Sequence, residues 1–188
     1  MYSKDQLIQD VKSVIKTGTF QLASGKTSNI YLNLKELTLT PAIQNIGEGI
    51  FNYILTKTDA IGGLELGSIP ITISTIIEAN RHNIKLNGFI VRKKPKNHGT
   101  LTLVEGNIKS NENIVIVDDV ATSGMSLIHA AHVMQKEYNC KILSFIVVVD
   151  RQEGARELIE KAGFPFHALC TLEELGYGGN TVNTKPRV

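Results

Sequence analysis

Residues 113–126 read N-I-V-I-V-D-D-V-A-T-S-G-M-S. Four apolar residues, Ile114, Val115, Ile116 and Val117, lead directly into two adjacent acids, Asp118 and Asp119. A small polar turn follows, with Thr122, Ser123 and Gly124. A run that is apolar at every position reads as a strand buried on both faces, as in a parallel sheet covered by helices. The turn leads into a helix expected at 124–138. The first N–H groups of such a helix have no partners within it, and with the helix dipole they favour a phosphate. Thr122, Ser123 and Ser126 add hydroxyl donors. The stretch is not a Walker A loop, because G-x-x-x-x-G-K is absent. The two acids would repel a phosphate, but they can accept hydrogen bonds from a vicinal diol. A ribose 5-phosphate meets both demands, with its phosphate in the turn and two hydroxyls on the acids. The competing explanation is an ordinary helix start with acids in its first turn.

Working outward, strands alternate with helices from residue 59 onward. Strands are expected at 60–64, 86–91, 114–117, 142–149 and 166–169, and helices at 70–81, 124–138 and 154–162. Alternation of this kind predicts an α/β fold with a central parallel sheet of about five strands flanked by helices. The whole chain, 1–188, reads as one domain. Residues 1–58 form a small N-terminal hood, 59–170 the α/β core and 171–188 a loosely ordered tail. In the hood, Leu7, Ile8, Val11, Val14 and Ile15 share a helical face. Ser3 with Gln6 suits a capping box, and Gly18 is placed to end that helix. Residues 19–34 alternate around S-G-K-T-S and read as two short strands, or a strand and a loop. Thr40 and Pro41 open a second helix as N-cap and first residue, with Ile43, Ile46, Ile50 and Ile54 inward.

Composition narrows the function. The chain has 188 residues, 42% of them apolar, and a net charge of +2. That charge builds no large single-signed field, so neither nucleic acid nor an anionic membrane surface is an expected partner. The two cysteines, Cys140 and Cys170, have neither metal spacing nor a disulfide framework, and they read as reduced thiols of a cytoplasmic protein. No apolar run is long enough to span a bilayer, and MYSKDQLIQD lacks the apolar stretch of a signal peptide.

Ligands of open α/β sheets bind at the carboxyl ends of strands, and two more polar clusters fall there. Residues 91–100, V-R-K-K-P-K-N-H-G-T, place four cations and His98 in a loop marked by Pro95 and Gly99. They could be a solvated basic loop or a clamp for a polyanion such as pyrophosphate. Arg92 offers a bidentate fork and the lysines mobile point charges, while His98 could donate a hydrogen bond or a proton. Nucleic-acid binding finds no aromatic interleaving here. After the longest apolar strand comes D-R-Q-E-G, 150–154. There Arg151 is either a surface ion pair with Asp150 or Glu153, or a holder of a substrate carboxylate or imide oxygen. Residues 20–31, F-Q-L-A-S-G-K-T-S-N-I-Y, suit a plain hairpin or a lid over a flat ring. His129 and His132 have no acid or cysteine spaced to complete a metal site.

Together the four clusters resemble the type I phosphoribosyltransferases. I-V-I-V-D-D-V-A-T-S-G-M-S is similar to the phosphoribosyl diphosphate signature of that family. R-K-K-P-K-N-H-G at 92–99 is similar to the R-K-x-x-K-x-H-G loop of its orotate-specific branch. The segments at 20–31 and 150–154 resemble that branch's F-x-L-x-S-G-x-x-S-x-x-Y and D-R-x-E-x-G. The resemblance implies the type I phosphoribosyltransferase fold. It also implies transfer of ribose 5-phosphate from 5-phosphoribosyl 1-diphosphate to orotate, with Mg²⁺, in pyrimidine biosynthesis. It further implies a homodimer whose basic loop reaches the partner's site. Carried over by position, Arg92, Lys93, Lys96 and His98 contact the diphosphate, and Asp118 and Asp119 take the ribose hydroxyls. Ala121, Thr122, Ser123, Gly124, Met125 and Ser126 cradle the 5-phosphate, Val120 belongs to the same phosphoribosyl diphosphate site, and Thr122 and Arg151 hold orotate. Lys96, Asp118 and Asp119 are the catalytic candidates. No protein metal ligand is implied, the magnesium travelling mainly on the diphosphate. The chain departs from the branch at Ala23, where many bacterial members have lysine, and at Leu66–Gly67, where many have tyrosine–lysine. Two rivals are a transferase for another base and a non-enzymatic sensor of phosphoribosyl diphosphate.

Overall fold

The computed structural model describes residues 1–21, 27–95 and 102–178. In chain order the elements are α1 (Lys4–Ser13), β1 (Ile15–Gln21), β2 (Thr27–Leu32), α2 (Lys35–Thr38), α3 (Ile43–Phe51), β3 (Ala60–Leu64), α4 (Ser68–Arg81) and β4 (Asn87–Val91). They continue with β5 (Val104–Gly106), β6 (Asn113–Ala121), α5 (Met125–Tyr138), β7 (Lys141–Asp150), α6 (Ala155–Lys161) and β8 (Phe166–Thr171). β1 and β2 form an antiparallel pair of their own, the hairpin of the hood. The main sheet has the order β5-β4-β3-β6-β7-β8.

The five expected parallel strands are all present in that sheet. A sixth, β5, adds antiparallel to β4. It is three residues long and lies in a polar stretch, too short to show a period. The strand order places a topological switch between β3 and β6. From β3 the chain moves outward to β4, then returns to the other side of β3 and moves outward again through β7 and β8. The crevice beyond the carboxyl ends of β3 and β6 is therefore the favoured ligand site of this sheet.

The period-two alternation of strands sorts the core into two layers. Val115 and Val117 pack with Ile61, Ile146 and Val148 on one face, against Leu7, Val11, Ile46 and Ile50 of the hood and Ile71 of α4. Ile114 and Ile116 pack with Phe145 and Val147 on the other, against Leu127 and Met134 of α5 and Ile159 of α6. Each fully buried aliphatic side chain contributes about 1.5–3 kcal/mol. Within residues 171–178, Leu172 and Leu175 are buried in the hood-side layer. Residues 179–188 lie outside the described residues.

Several local expectations change. α1 stops at Ser13, not at Gly18, because Ile15 pairs with Leu32 and opens the hairpin. The capping box is half made. Ser3 Oγ accepts from Gln6 N at 3.2 Å, but the Gln6 side chain donates to Asp10 and Ser3 N donates to Asn45 Oδ1. Thr40 and Pro41 form a turn just ahead of α3, their carbonyls accepting from Ile43 N and Gln44 N, and Ile54 lies beyond the helix end. The strand expected to end at Val117 runs on to Ala121, with Asp118 and Val120 in register with Val147 and Val149 of β7. The two acids thus belong to a strand, not to a helix's first turn.

Cys140 and Cys170 are buried free thiols. Among the described residues no helix is long and apolar enough to cross a membrane.

Candidate active site

At the switch point β6 delivers the carboxylates of Asp118 and Asp119. Asp118 Oδ1 accepts from Asp119 N at 2.9 Å, and Asp119 Oδ1 accepts from Val120 N at 2.9 Å. Each side chain is thereby steered by the backbone of the next residue. Gly67, at the head of α4, closes on both. A Cβ there would lie 2.5 Å from Asp119 Oδ1 and 2.9 Å from Asp118 Oδ1. The hood supplies a cation, with Lys35 Nζ 3.5 Å from Asp119 Oδ2.

Burial, followed by repulsion from Asp119, pushes the Asp118 carboxyl from its usual 3.8 up to about 8. The folded protein then keeps a proton that the unfolded chain releases near pH 3.8. Between those values the folded state binds more protons, so this group's contribution to stability falls as pH rises from about 4 to about 8. Asp118→Asn removes that slope. Thermal melts across the acid-to-neutral range should show the variant gaining on the wild type as pH increases. Parallel melting curves for the two proteins would mean that Asp118 carries no such burden.

Beyond Ala121 the chain turns into α5. Gly124 takes φ +79° as the residue before the helix, and a Cβ there would lie 3.2 Å from Ala155 Cα, so the turn needs glycine for both conformation and space. Gly124 offers no side-chain cap to α5. The first N–H groups of this 14-residue helix therefore face a small pocket of about 220 Å³, lined by Asp118 and residues 120–127. Thr122, Ser123, Met125 and Ser126 are exposed at its mouth. Two backbone bonds tie this turn to the next strand's end. Arg151 N donates to Ala121 O at 2.9 Å, and Ala155 N donates to Thr122 O at 3.0 Å. The first and third polar clusters are thus one structure.

Arg151 makes one of its two expected ion pairs. It pairs with Glu153, Nε to Oε1 2.7 Å, but the pair is not on the surface, since the Arg151 side chain is only 4% exposed. A second guanidinium nitrogen donates to Ser28 Oγ of β2 at 3.3 Å, joining the hood hairpin to the core. Asp150 is engaged elsewhere, by Gln152 N and by Arg156. The hairpin brings Phe20 and Tyr31 together, ring centroids 5.5 Å apart.

The basic cluster divides. Lys93 lines an open cleft of about 560 Å³ together with Lys35, Glu65, Gly67, Asp118, Asp119 and Ser126. Its backbone N–H donates to Glu65 Oε1 at 2.9 Å. Arg92 turns toward β5, with one guanidinium nitrogen 3.7 Å from Glu105 Oε1. Lys96 and His98 lie outside the described residues. His129 and His132 are exposed on α5. Among the described residues no group of three or more His, Cys, Asp or Glu is arranged to hold a metal.

Sequence reasoning missed Lys35 and Glu65 as cleft residues and the closeness of Gly67 to the acids. Glu65 and Gly67 follow directly on β3, so the strand-end rule could have found them. Lys35 had no signal, being one cation in the polar stretch N-L-K-E. A larger hollow of about 770 Å³, between Tyr2, Phe51, Glu78 and His82, contains none of the expected site residues.

A family model described as phosphoribosyl transferase domain matches residues 34–166. An orotate phosphoribosyltransferase from Pyrococcus horikoshii is 40% identical over 184 residues, covering 93% of this chain and 94% of its own. One from Methanocaldococcus jannaschii is 39% identical over 178 residues, covering 93% and 98%. Among solved structures, the Mycobacterium tuberculosis orotate phosphoribosyltransferase in complex with 5-phospho-alpha-D-ribosyl 1-diphosphate superposes with a TM-score of 0.76 at 26% identity, over 92% of this chain and 98% of that one. The Aeropyrum pernix orotate phosphoribosyltransferase gives a TM-score of 0.72 at 29% identity, over 94% and 99%.

Proposed function

The chain belongs to the phosphoribosyltransferase family, and within it to the orotate phosphoribosyltransferases; from that premise we infer how its residues divide the work of transfer. The reaction moves ribose 5-phosphate from 5-phosphoribosyl 1-diphosphate to orotate, giving orotidine 5′-monophosphate and pyrophosphate in pyrimidine biosynthesis. The C1–O bond to the diphosphate breaks, a bond from C1 to a ring nitrogen of orotate forms, and that nitrogen loses its proton. The observation that carries the assignment is the meeting, at the sheet's switch point, of an acid pair with the uncapped start of α5.

The 5-phosphate sits in the 121–126 turn, among N–H groups and the hydroxyls of Thr122, Ser123 and Ser126. Val120 and Met125 wall this cradle. Asp118 and Asp119 take the ribose hydroxyls and, as the C1–O bond lengthens, the negative charge of the pair, carried chiefly by Asp119, stabilises the positive charge on the ring. Arg92, Lys93, Lys96 and His98 serve the diphosphate, Lys96 chiefly as the leaving group departs. Arg151, held in place by Glu153, and Thr122 bind orotate, whose carboxylate suits a guanidinium.

Glu65, Asp118 and Asp119 line the cleft, and hard carboxylate oxygens of this kind suit Mg²⁺. We take the ion to arrive on the diphosphate, with the acid pair as the protein oxygens available to it. When bound it supplies positive charge that stabilises the departing pyrophosphate.

We further propose that 1–188 acts as one domain with a hood (1–58), a core (59–170) and a tail (171–188). The apolar layer shared by Leu7, Ile46, Val117 and Leu172 supports it. A homodimer with the basic loop shared across its interface is supported by the exposed apolar side chains of Leu66, which lines the cleft, and of Ile73 and Ile77 on α4. The two unpaired, buried thiols support a cytoplasmic setting.

The deciding experiment offers phosphoribosyl diphosphate, Mg²⁺ and a panel of purine and pyrimidine bases, following ultraviolet absorbance and pyrophosphate release. Orotate should be consumed with one pyrophosphate released per orotate. Turnover of another base with orotate inert would overturn the specificity, and binding of phosphoribosyl diphosphate with no turnover of any base would favour a sensor.

A further inference from the structure

Lys35 is anchored at its backbone and half-exposed along its side chain. Leu34 before it and Leu37 after it are buried, 1% and 5% exposed, so the short α2 is pinned to the hood's apolar layer. The lysine side chain is 52% exposed and reaches across the cleft to Asp119, whose side chain is 14% exposed. An ion pair this open adds little to stability, so its value lies in what it does to the cleft.

The ionisable groups lining that cleft are Asp118, Asp119, Glu65, Lys35 and Lys93. A sugar carrying three phosphoryl groups must approach the acid pair closely, and repulsion opposes it. Lys35 Nζ lies 3.5 Å from Asp119 Oδ2, an ion pair with a member of the acid pair itself. Gly67 supplies no charge, and a Cβ there would lie 2.5 Å from Asp119 Oδ1.

We propose that Lys35 is a positioning residue of the phosphoribosyl diphosphate site, holding Asp119 for the ribose hydroxyls and offsetting the acid pair's charge as the polyanion enters. This rests on the phosphoribosyl-transfer assignment above. The role is specific to one substrate, since orotate binds at the Arg151 side, and it depends on charge, so arginine can substitute for lysine where glutamine cannot.

The test compares Lys35→Ala, Lys35→Gln and Lys35→Arg by steady-state kinetics, thermal melting and calorimetric binding of phosphoribosyl diphosphate with Mg²⁺. Both neutral variants should raise KM for phosphoribosyl diphosphate by about tenfold or more, with KM for orotate and the melting temperature unchanged. Lys35→Arg should restore most of the affinity. Wild-type turnover with an unchanged KM in the neutral variants would overturn the proposal. So would a lowered melting temperature that Lys35→Arg does not rescue, since that marks a purely structural role. Should the wild type turn over no base, the transfer assignment itself fails, and calorimetry still decides on Lys35. Binding weakened about tenfold in the neutral variants sustains the proposal, and unchanged binding overturns it.

Discussion

Asp119→Asn is expected to lower kcat by about a hundred- to a thousandfold while the protein still folds and melts cooperatively. As the C1–O bond stretches, positive charge builds on the ribose ring. A carboxylate already aimed at that ring stabilises the charge without reorganising, and a water-poor site increases its value. Asp119 meets these conditions. One of its oxygens is fixed by Val120 N, the other faces Lys35 and the cleft, and little of the side chain is exposed. Asparagine keeps the shape and an acceptor for Val120 N but removes the charge. The effect should therefore fall on the chemical step more than on the affinity for orotate. Single-turnover kinetics with both substrates saturating separates the two. A rate near that of the wild type would reduce the pair to an element of the fold.

Lys96→Ala is expected to lower turnover by about a hundredfold or more, again with an intact fold. Lys96 itself lies outside the described residues, and its assignment rests on the basic motif and on where that motif is rooted. The described parts on either side of the loop are fixed. Val91 pairs with Val104, Arg92 N donates to Leu103 O at 2.8 Å, and Lys93 N donates to Glu65. Lys93, at one described end of the basic stretch, lines the cleft. A cation carried there can meet negative charge growing on the departing pyrophosphate. Mixing also tests the shared-loop homodimer. A Lys96→Ala subunit keeps its acid pair and an Asp119→Asn subunit keeps its loop, so a mixed dimer regains one complete site if loops serve the partner. Mixtures no more active than either variant alone would show that each loop serves its own subunit. Normal turnover by Lys96→Ala would make the loop a solvated surface.

Much of the molecule follows from local sequence. The apolar runs around Ile114, Phe145 and Ile61 are buried strands because no other element buries every position of so short a segment. Gly124 marks the turn into α5, since its φ and its close approach to Ala155 strain any other residue. The acid pair, the basic cluster and Arg151 were each visible as costly polar groups at strand ends. Other features left no local trace. The three residues of β5 have no period of their own and exist as a strand only by pairing with β4. Asp118 reads as a turn residue until β7 is known to lie beside it.

By itself, then, the order of residues determined the α/β class, the positions of the principal strands and helices, and the residue types that point to a sugar phosphate. Those depend on period, turn chemistry and charge over a few neighbouring residues. Only the tertiary structure decided that β3 and β6 lie side by side at a switch point. The same holds for Gly67 closing on both carboxylates, for Lys35 and Ser28 reaching in from the hood, and for Arg92 turning to β5. Each of those contacts joins residues tens of positions apart or sets one partner against another, and packing of the whole chain selects among them.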